Sequence, residues 1–138
     1  MIRNTYNLSV RGYELDSFGH VNNSVYLQYA ETALWDCFNK HGFLDMIREN
    51  GLFPVILESS QRYINELRLL DEVQIESEFA MKNGIICYRH TIKDITHDRI
   101  SCRIKGKLGL VNAERIICDV PDSVKIQLED KCDESDKK

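Results

Sequence analysis

The sequence predicts an α+β domain: one long buried helix wrapped by an antiparallel sheet of five strands, with a sixth open at Ile116–Val120. Three observations carry this. The segment from Asn23 to about Lys40 is apolar over most of a helical circumference. The stretches around it alternate apolar and polar residues with period two, as strands do. The turns between successive strands are short, and Asn83-Gly84 is a strong hairpin signal, so neighbours in sequence pair antiparallel.

Thr5–Leu15 is the first strand, with Tyr6, Leu8, Val10 and Gly12 on one side and Thr5, Asn7, Ser9, Arg11 and Tyr13 on the other. Asp16–Asn22 is the connection, where Gly19 supplies backbone freedom. In the helix, Ser24, Gln28, Glu31, Thr32, Asp36 and Asn39 form a narrow polar stripe, so Trp35 and Phe38 read as core. Asn22 or Asn23 suits the N-cap and Gly42 the stop. Phe43–Asn50 predicts a short helix closed by Gly51. Past Pro54 the chain is extended over Val55–Ile64, Val73–Met81, Ile85–Ile95 and Ile100–Val111, with a turn at Thr96–Arg99. Val73, Ile75, Ser77 and Phe79 oppose Gln74, Glu76, Glu78 and Ala80, the pattern of a sheet buried on one face. Ile116–Val120 fits a last strand or a covering segment, and Pro121-Asp122 opens a short helix to Leu128. The domain is 1–128, and 129–138 is a charged tail expected to be disordered.

Composition narrows the class. At 138 residues, 43% hydrophobic and 29% charged, the chain reads as a single soluble domain with a real core. A formal charge of −4 without a basic stripe argues against nucleic acid. The amino-terminal MIRNTYNLSV lacks a signal-peptide run and no stretch has membrane-spanning length, so a cytoplasmic protein with no membrane partner is expected. Five cysteines, with no C-x-x-C among them, read as reduced thiols. His20, His41, His90 and His97 show no ligand spacing, so neither a metal nor a cofactor is expected.

Chemistry concentrates between strand and helix. The run Arg11-x-x-x-x-Asp16-x-x-Gly19-His20-Val21-Asn22-Asn23-x-x-Tyr26-Leu27-x-x-x-Glu31 puts a carboxylate, a glycine turn and a histidine at the amino end of a buried helix. Amide donors and the helix dipole there can stabilise a developing oxyanion, as acyl chemistry requires.

One helix in a sheet wrap is the plan of a hotdog domain, and the run closely resembles hotdog thioesterases of the 4-hydroxybenzoyl-CoA thioesterase type. Its D-x-x-G-H-V-N-N-x-x-Y form is also similar to acyl-CoA and acyl-carrier-protein thioesterases. The resemblance covers about Thr5 to Pro121, mostly as pattern beyond Lys40. It implies hydrolysis of an acyl-CoA or acyl-carrier-protein thioester, coenzyme A being part of the substrate. Asp16 matches the catalytic acid, acting as nucleophile or general base, and Asn23 the position whose backbone N–H polarises the carbonyl. His20 would orient Asp16 or the substrate. Gly19, Asn22, Tyr26 and Glu31 are candidate substrate contacts, with packing, capping or interface roles as the competing readings. The resemblance also implies a homodimer or homotetramer with sites between subunits, and the open edges of a single sheet argue the same way.

The chain departs from the family later. Where relatives carry Y-x-x-P-x-x-x-G-D, this sequence has Tyr63, then Glu66 for the proline, Leu70 for the glycine, and Asp71. Glu58 and Glu66 are further acids near this edge, without an assigned role. Arg103, Lys105 and Lys107 share one strand face and suit either solvent or the phosphates of coenzyme A or an acidic carrier. Two other readings stay open: a non-catalytic acyl-CoA or acyl-carrier binding protein, and, more weakly, an enoyl-thioester hydratase or dehydratase, whose D-x-N-P-x-H is absent.

Overall fold

The computed structural model describes residues 1–129. In chain order it runs β1 (Ile2–Ser9), α1 (Asn23–Lys40), α2 (Phe43–Glu49), β2 (Phe53–Tyr63), β3 (Glu72–Lys82), β4 (Ile85–Asp94), β5 (Arg99–Val111), β6 (Ile117–Cys118) and α3 (Asp122–Glu129). All strand pairs are antiparallel, in the order β1-β3-β4-β5-β2. β6 pairs Leu110 and Val111 of β5 past the residues that pair with the start of β4, so the sixth strand is real but two residues long. The fold is the hotdog arrangement the sequence predicts.

β1 is shorter than expected and begins earlier. It ends at Ser9, and Gly12–Glu14 closes into a 3-10 turn, because Glu14 folds back on Arg11 instead of extending the ladder. Inward alternation then falls as read: Val73, Ile75, Ser77 and Phe79 of β3 are buried, as are Ile86, Tyr88, His90 and Ile92 of β4. The β3–β4 hairpin turns at Asn83 and Gly84 with φ of 52° and 79°, the positive pair that a two-residue hairpin requires.

α1 lies against the inner face of this sheet. Its Asn22 side chain accepts a bond from the Ser24 amide, settling the cap on Asn22, and Gly42 takes the left-handed conformation (φ 72°) just past the end. Tyr29, Ala33, Cys37 and Phe38 pack into the core with Phe79 and Phe43. The helix is not buried all round, however. Leu27 and Trp35, expected inside, are 40% and 37% exposed and form one wall of an open groove.

The other wall involves β2, the least buried strand. Among the described residues it pairs only with β5, and it presents Phe53, Ile56 and Leu57 to the outside. Cys37, Cys87, Cys102 and Cys118 are free thiols, and burial pushes the Cys37 thiol up to about 12, which keeps it protonated. The 129–138 tail expectation falls outside the described residues beyond Glu129, where α3 ends. No helix among the described residues is long and apolar enough to cross a membrane.

Candidate active site

Asp16 sits half-buried in the loop between the 3-10 turn and α1. Its main chain closes a small ring: Asp16 N donates to the His20 carbonyl at 2.7 Å, and Gly19 N donates to the Asp16 carbonyl at 3.1 Å. Gly19 holds φ 82° there, which explains a glycine at this position. Side-chain Oδ1 accepts from Phe18 N at 2.8 Å and His20 N at 3.2 Å. Two fixed amides thus hold one carboxylate oxygen, while the other has no protein partner among the described residues.

The loop is anchored on both sides. Leu15 bridges Val21, Val21 N donates to the Leu67 carbonyl, and Asn22 N donates to the Glu14 carbonyl. Beneath it Glu14, 4% exposed, accepts from Arg11 N (2.8 Å), the Arg11 guanidinium (2.7 Å) and the Tyr29 hydroxyl (2.7 Å). Burial works against its ionisation, but these donors outweigh burial and hold its carboxyl below the usual range. This buried acid was not singled out from sequence. Its signal was the spacing from Arg11 to Glu14, which one helical turn brings together.

At the helix start, Asn22 N, Ser24 N and Val25 N donate to Glu14 O, Asn22 Oδ1 and Asn22 O respectively. Asn23 N, at the first helical position, has no intrahelical acceptor by geometry. His20 meets Asp16 through its backbone, by both its amide and its carbonyl, while its ring reaches Glu66, Nε2 to Oε2 at 3.5 Å. Arg68 also pairs Glu66 (2.7 Å), so the residue standing for the family's proline ties the histidine to the β2–β3 connection.

Tyr26 is 3% exposed, and its hydroxyl accepts from Leu67 N at 3.1 Å. It holds the Leu67 segment against the helix and is not among the residues lining the groove described below. Asn22 is the exposed cap. Glu31 is exposed and bonded by the Trp35 indole at 3.3 Å.

Glu31 and Trp35 border a cavity of about 430 Å³ between α1 and strands β2, β4 and β5. Leu27, Leu34, Ile56, Ile104 and Leu108 make it largely apolar, and Tyr88 and His90 stand on its sheet side. None of residues 16–23 is in its wall. Phe38, by contrast, is fully buried, as read. His90 and Tyr88 were missed as cavity residues, although period two along β4 puts both on the inner face.

One triad has the makings of a metal site: Asp71, Asp94 and His97 offer ligand atoms within 4.8 Å of one another. The donors are already engaged. Asp94 accepts from His97 N, His97 Nδ1 and Arg99 Nε, and Asp71 accepts from Arg68 N. The cluster pins the β3 start to the β4–β5 turn. Of the outer-face cations, Lys107 lies 3.7 Å from Glu58, while Arg103 and Lys105 are exposed next to Arg62 and Arg89 across the ladder.

A hotdog domain with a tethered carboxylate before its central helix defines the class. Residues 10–128 match the thioesterase-like superfamily, and the chain belongs to that family. It is similar to the long-chain acyl-CoA thioesterase FadM of Escherichia coli, 37% identical over 77 residues (56% of this chain, 58% of that protein). It is also similar to the chloroplastic acyl-acyl carrier protein thioesterase ATL3 of Arabidopsis thaliana, 31% identical over 101 residues (72% and 53%). The chain thus spans little more than half the length of these curated relatives. The 1,4-dihydroxy-2-naphthoyl-CoA thioesterase Slr0204 of Synechocystis superposes with a TM-score of 0.82 at 15% identity, covering 91% of this chain and 95% of that one, a likeness of fold.

Proposed function

We propose that the protein hydrolyses an acyl-CoA or acyl-carrier-protein thioester to a carboxylic acid and a thiol. The observation that carries the reading is the Asp16 carboxylate, fixed through one oxygen by two loop amides with the other oxygen free, in the loop that leads into the α1 amino end. Asp16, or a water that it deprotonates, adds to the thioester carbonyl carbon. The carbonyl oxygen gains negative charge, which the Asn23 N–H and the helix dipole offset. The C–S bond then breaks and the thiolate departs. If Asp16 itself attacked, water hydrolyses the resulting anhydride.

The acyl group suits the apolar cavity along α1, and the exposed cations of β5 suit the phosphates of the carrier. Because Asp16 is not in that cavity's wall, the complete site is proposed to form between two copies of the chain, joined along the open edge of β2. The names of the two relatives place one in a bacterium and one in a chloroplast, so family membership does not choose a compartment.

The test is thiol release from a panel of acyl-CoA and acyl-carrier-protein thioesters. Asp16→Asn and Asp16→Ala are expected to lower kcat by about 10²–10⁴ while leaving the protein folded. Variants as active as wild type would remove Asp16 from the chemistry. A wild type silent on every thioester, yet binding them, would make this an acyl-binding protein.

A further inference from the structure

The acyl cavity proposed above is walled mainly by hydrocarbon, and of the polar residues in it, Glu31, Ser59, Tyr88 and His90, the most deeply buried is His90. His90, on β4, is 1% exposed and forms part of the wall. Its ring lies 5.7 Å from Phe79 and 5.1 Å from Tyr88, centre to centre, so its orientation is fixed by packing. Burial pulls its pKa down to about 4, and the imidazole is neutral at neutral pH.

A neutral imidazole has one N–H donor and one acceptor nitrogen. Nδ1 is 2.7 Å from Ser77 Oγ, directly across the β3–β4 ladder. The Ser77 hydroxyl meets no second acceptor among the described residues, so its proton goes to Nδ1. The remaining proton then sits on Nε2. No described residue engages Nε2, and no buried side-chain nitrogen among the described residues is left wholly enclosed without a partner. Nε2–H therefore opens on the cavity that His90 lines.

A chamber for a plain alkyl chain gains nothing from such a donor. Filling it with hydrocarbon would strip water from the N–H and replace it with no acceptor, which is the arrangement binding sites discriminate against most strongly. We infer that His90, set by Ser77, is a specificity-determining residue that donates a hydrogen bond to an oxygen on the acyl group. The preferred substrates are then thioesters of hydroxy- or oxo-substituted acyl groups over their unsubstituted parents. This rests on the cavity being the acyl site.

Binding and turnover separate the two ideas. Trp35, the one tryptophan of the sequence, borders the cavity, so its fluorescence reports occupancy without any hydrolysis. Non-hydrolysable thioether analogues of acyl-CoA serve as probes, in matched pairs with and without a hydroxyl or ketone at successive positions. Wild type is expected to bind at least one oxygenated member about tenfold tighter than its parent, the worth of one neutral hydrogen bond. His90→Phe should erase that difference, His90→Gln should retain part of it, and nitrogen NMR should show the His90 Nε2 resonance move on binding. Equal affinity across every pair, or a preference that survives in His90→Phe, overturns the inference. If His90→Phe does not fold, His90→Gln and the wild-type nitrogen shift decide: an Nε2 resonance unmoved by every bound analogue also overturns it. Thiol release from the matching thioesters judges the hydrolase reading separately. Discrimination in binding without turnover keeps His90 and sinks hydrolysis, and turnover without discrimination does the reverse.

Discussion

At the scale of single residues, the turn before β3 shows what a substitution costs. Leu70 stands where the family resemblance wants glycine, and it keeps the backbone that glycine would have, with φ 65°. Its amide still donates to the Val10 carbonyl, and Asp71 still closes the turn through the Arg68 amide. A leucine in the left-handed region carries a clash between Cβ and backbone of about 1–2 kcal/mol. At 71% exposed, its side chain returns little by packing. Leu70→Gly should therefore raise stability by up to about 1 kcal/mol, the relief being partly cancelled by the freer unfolded chain. Urea unfolding checks it. A loss of stability would mean that Leu70 packs on something beyond this chain.

The same scale shows where sequence reading succeeded and where it stopped. Asp16, Gly19, Asn22 and Asn23 are adjacent in the chain, and local rules of capping and glycine geometry place them together. His20 escaped those rules because its ring partner, Glu66, comes from a segment more than forty residues later. Glu14 escaped because its burial depends on Tyr29 from the helix and on the 3-10 turn that ends β1 early. Period two carried past its end makes Thr5–Leu15 one strand. The signal for stopping was an ion pair, which periodicity does not see.

At the scale of elements, β2 and β5 approach as they do because of Gly106. A Cβ there would fall on the Glu58 carbonyl oxygen and the Tyr88 hydroxyl, well inside contact distance. The β2 bulge between Ile56 and Glu58 lies beside this approach. Sequence alternation assigned Gly106 to a strand between two lysines but could not show that a second strand and a tyrosine crowd it. Gly106→Ala must push either backbone or a ring held in the cavity wall, and should cost about 1–3 kcal/mol. Gly109→Ala is the matched control: its added methyl would meet Leu57 Cδ1 at 3.0 Å, the far end of a side chain that can turn aside. Chemical denaturation should find Gly106→Ala the more damaging of the two. The reverse order would mean that β2 is loosely held.

At the scale of the whole molecule, a share of the exposed apolar surface lies along the open edge of the sheet. β2 is eleven residues long, an open edge among the described residues, and it shows Phe53 at 55% and Ile56 at 52% exposure. Long apolar edges invite pairing with another chain, and a protein that stays soluble usually covers them. The groove beside this edge joins the outward helix residues Leu27 and Trp35 to the same surface. The proposed second copy, related by a two-fold axis, would pair β2 with β2 and cover this edge in both. Charge on this surface separates pairing from chance stickiness. Placing lysines at both Ile56 and Leu57 leaves the core of the single chain intact, since both side chains are partly in solvent, but puts like charges across any two-fold contact. Sedimentation velocity should show wild type as a dimer or tetramer and Ile56→Lys/Leu57→Lys as a monomer. A wild type that sediments as a fully active monomer would require Asp16 and its acyl cavity to meet within one chain, and would overturn the shared site.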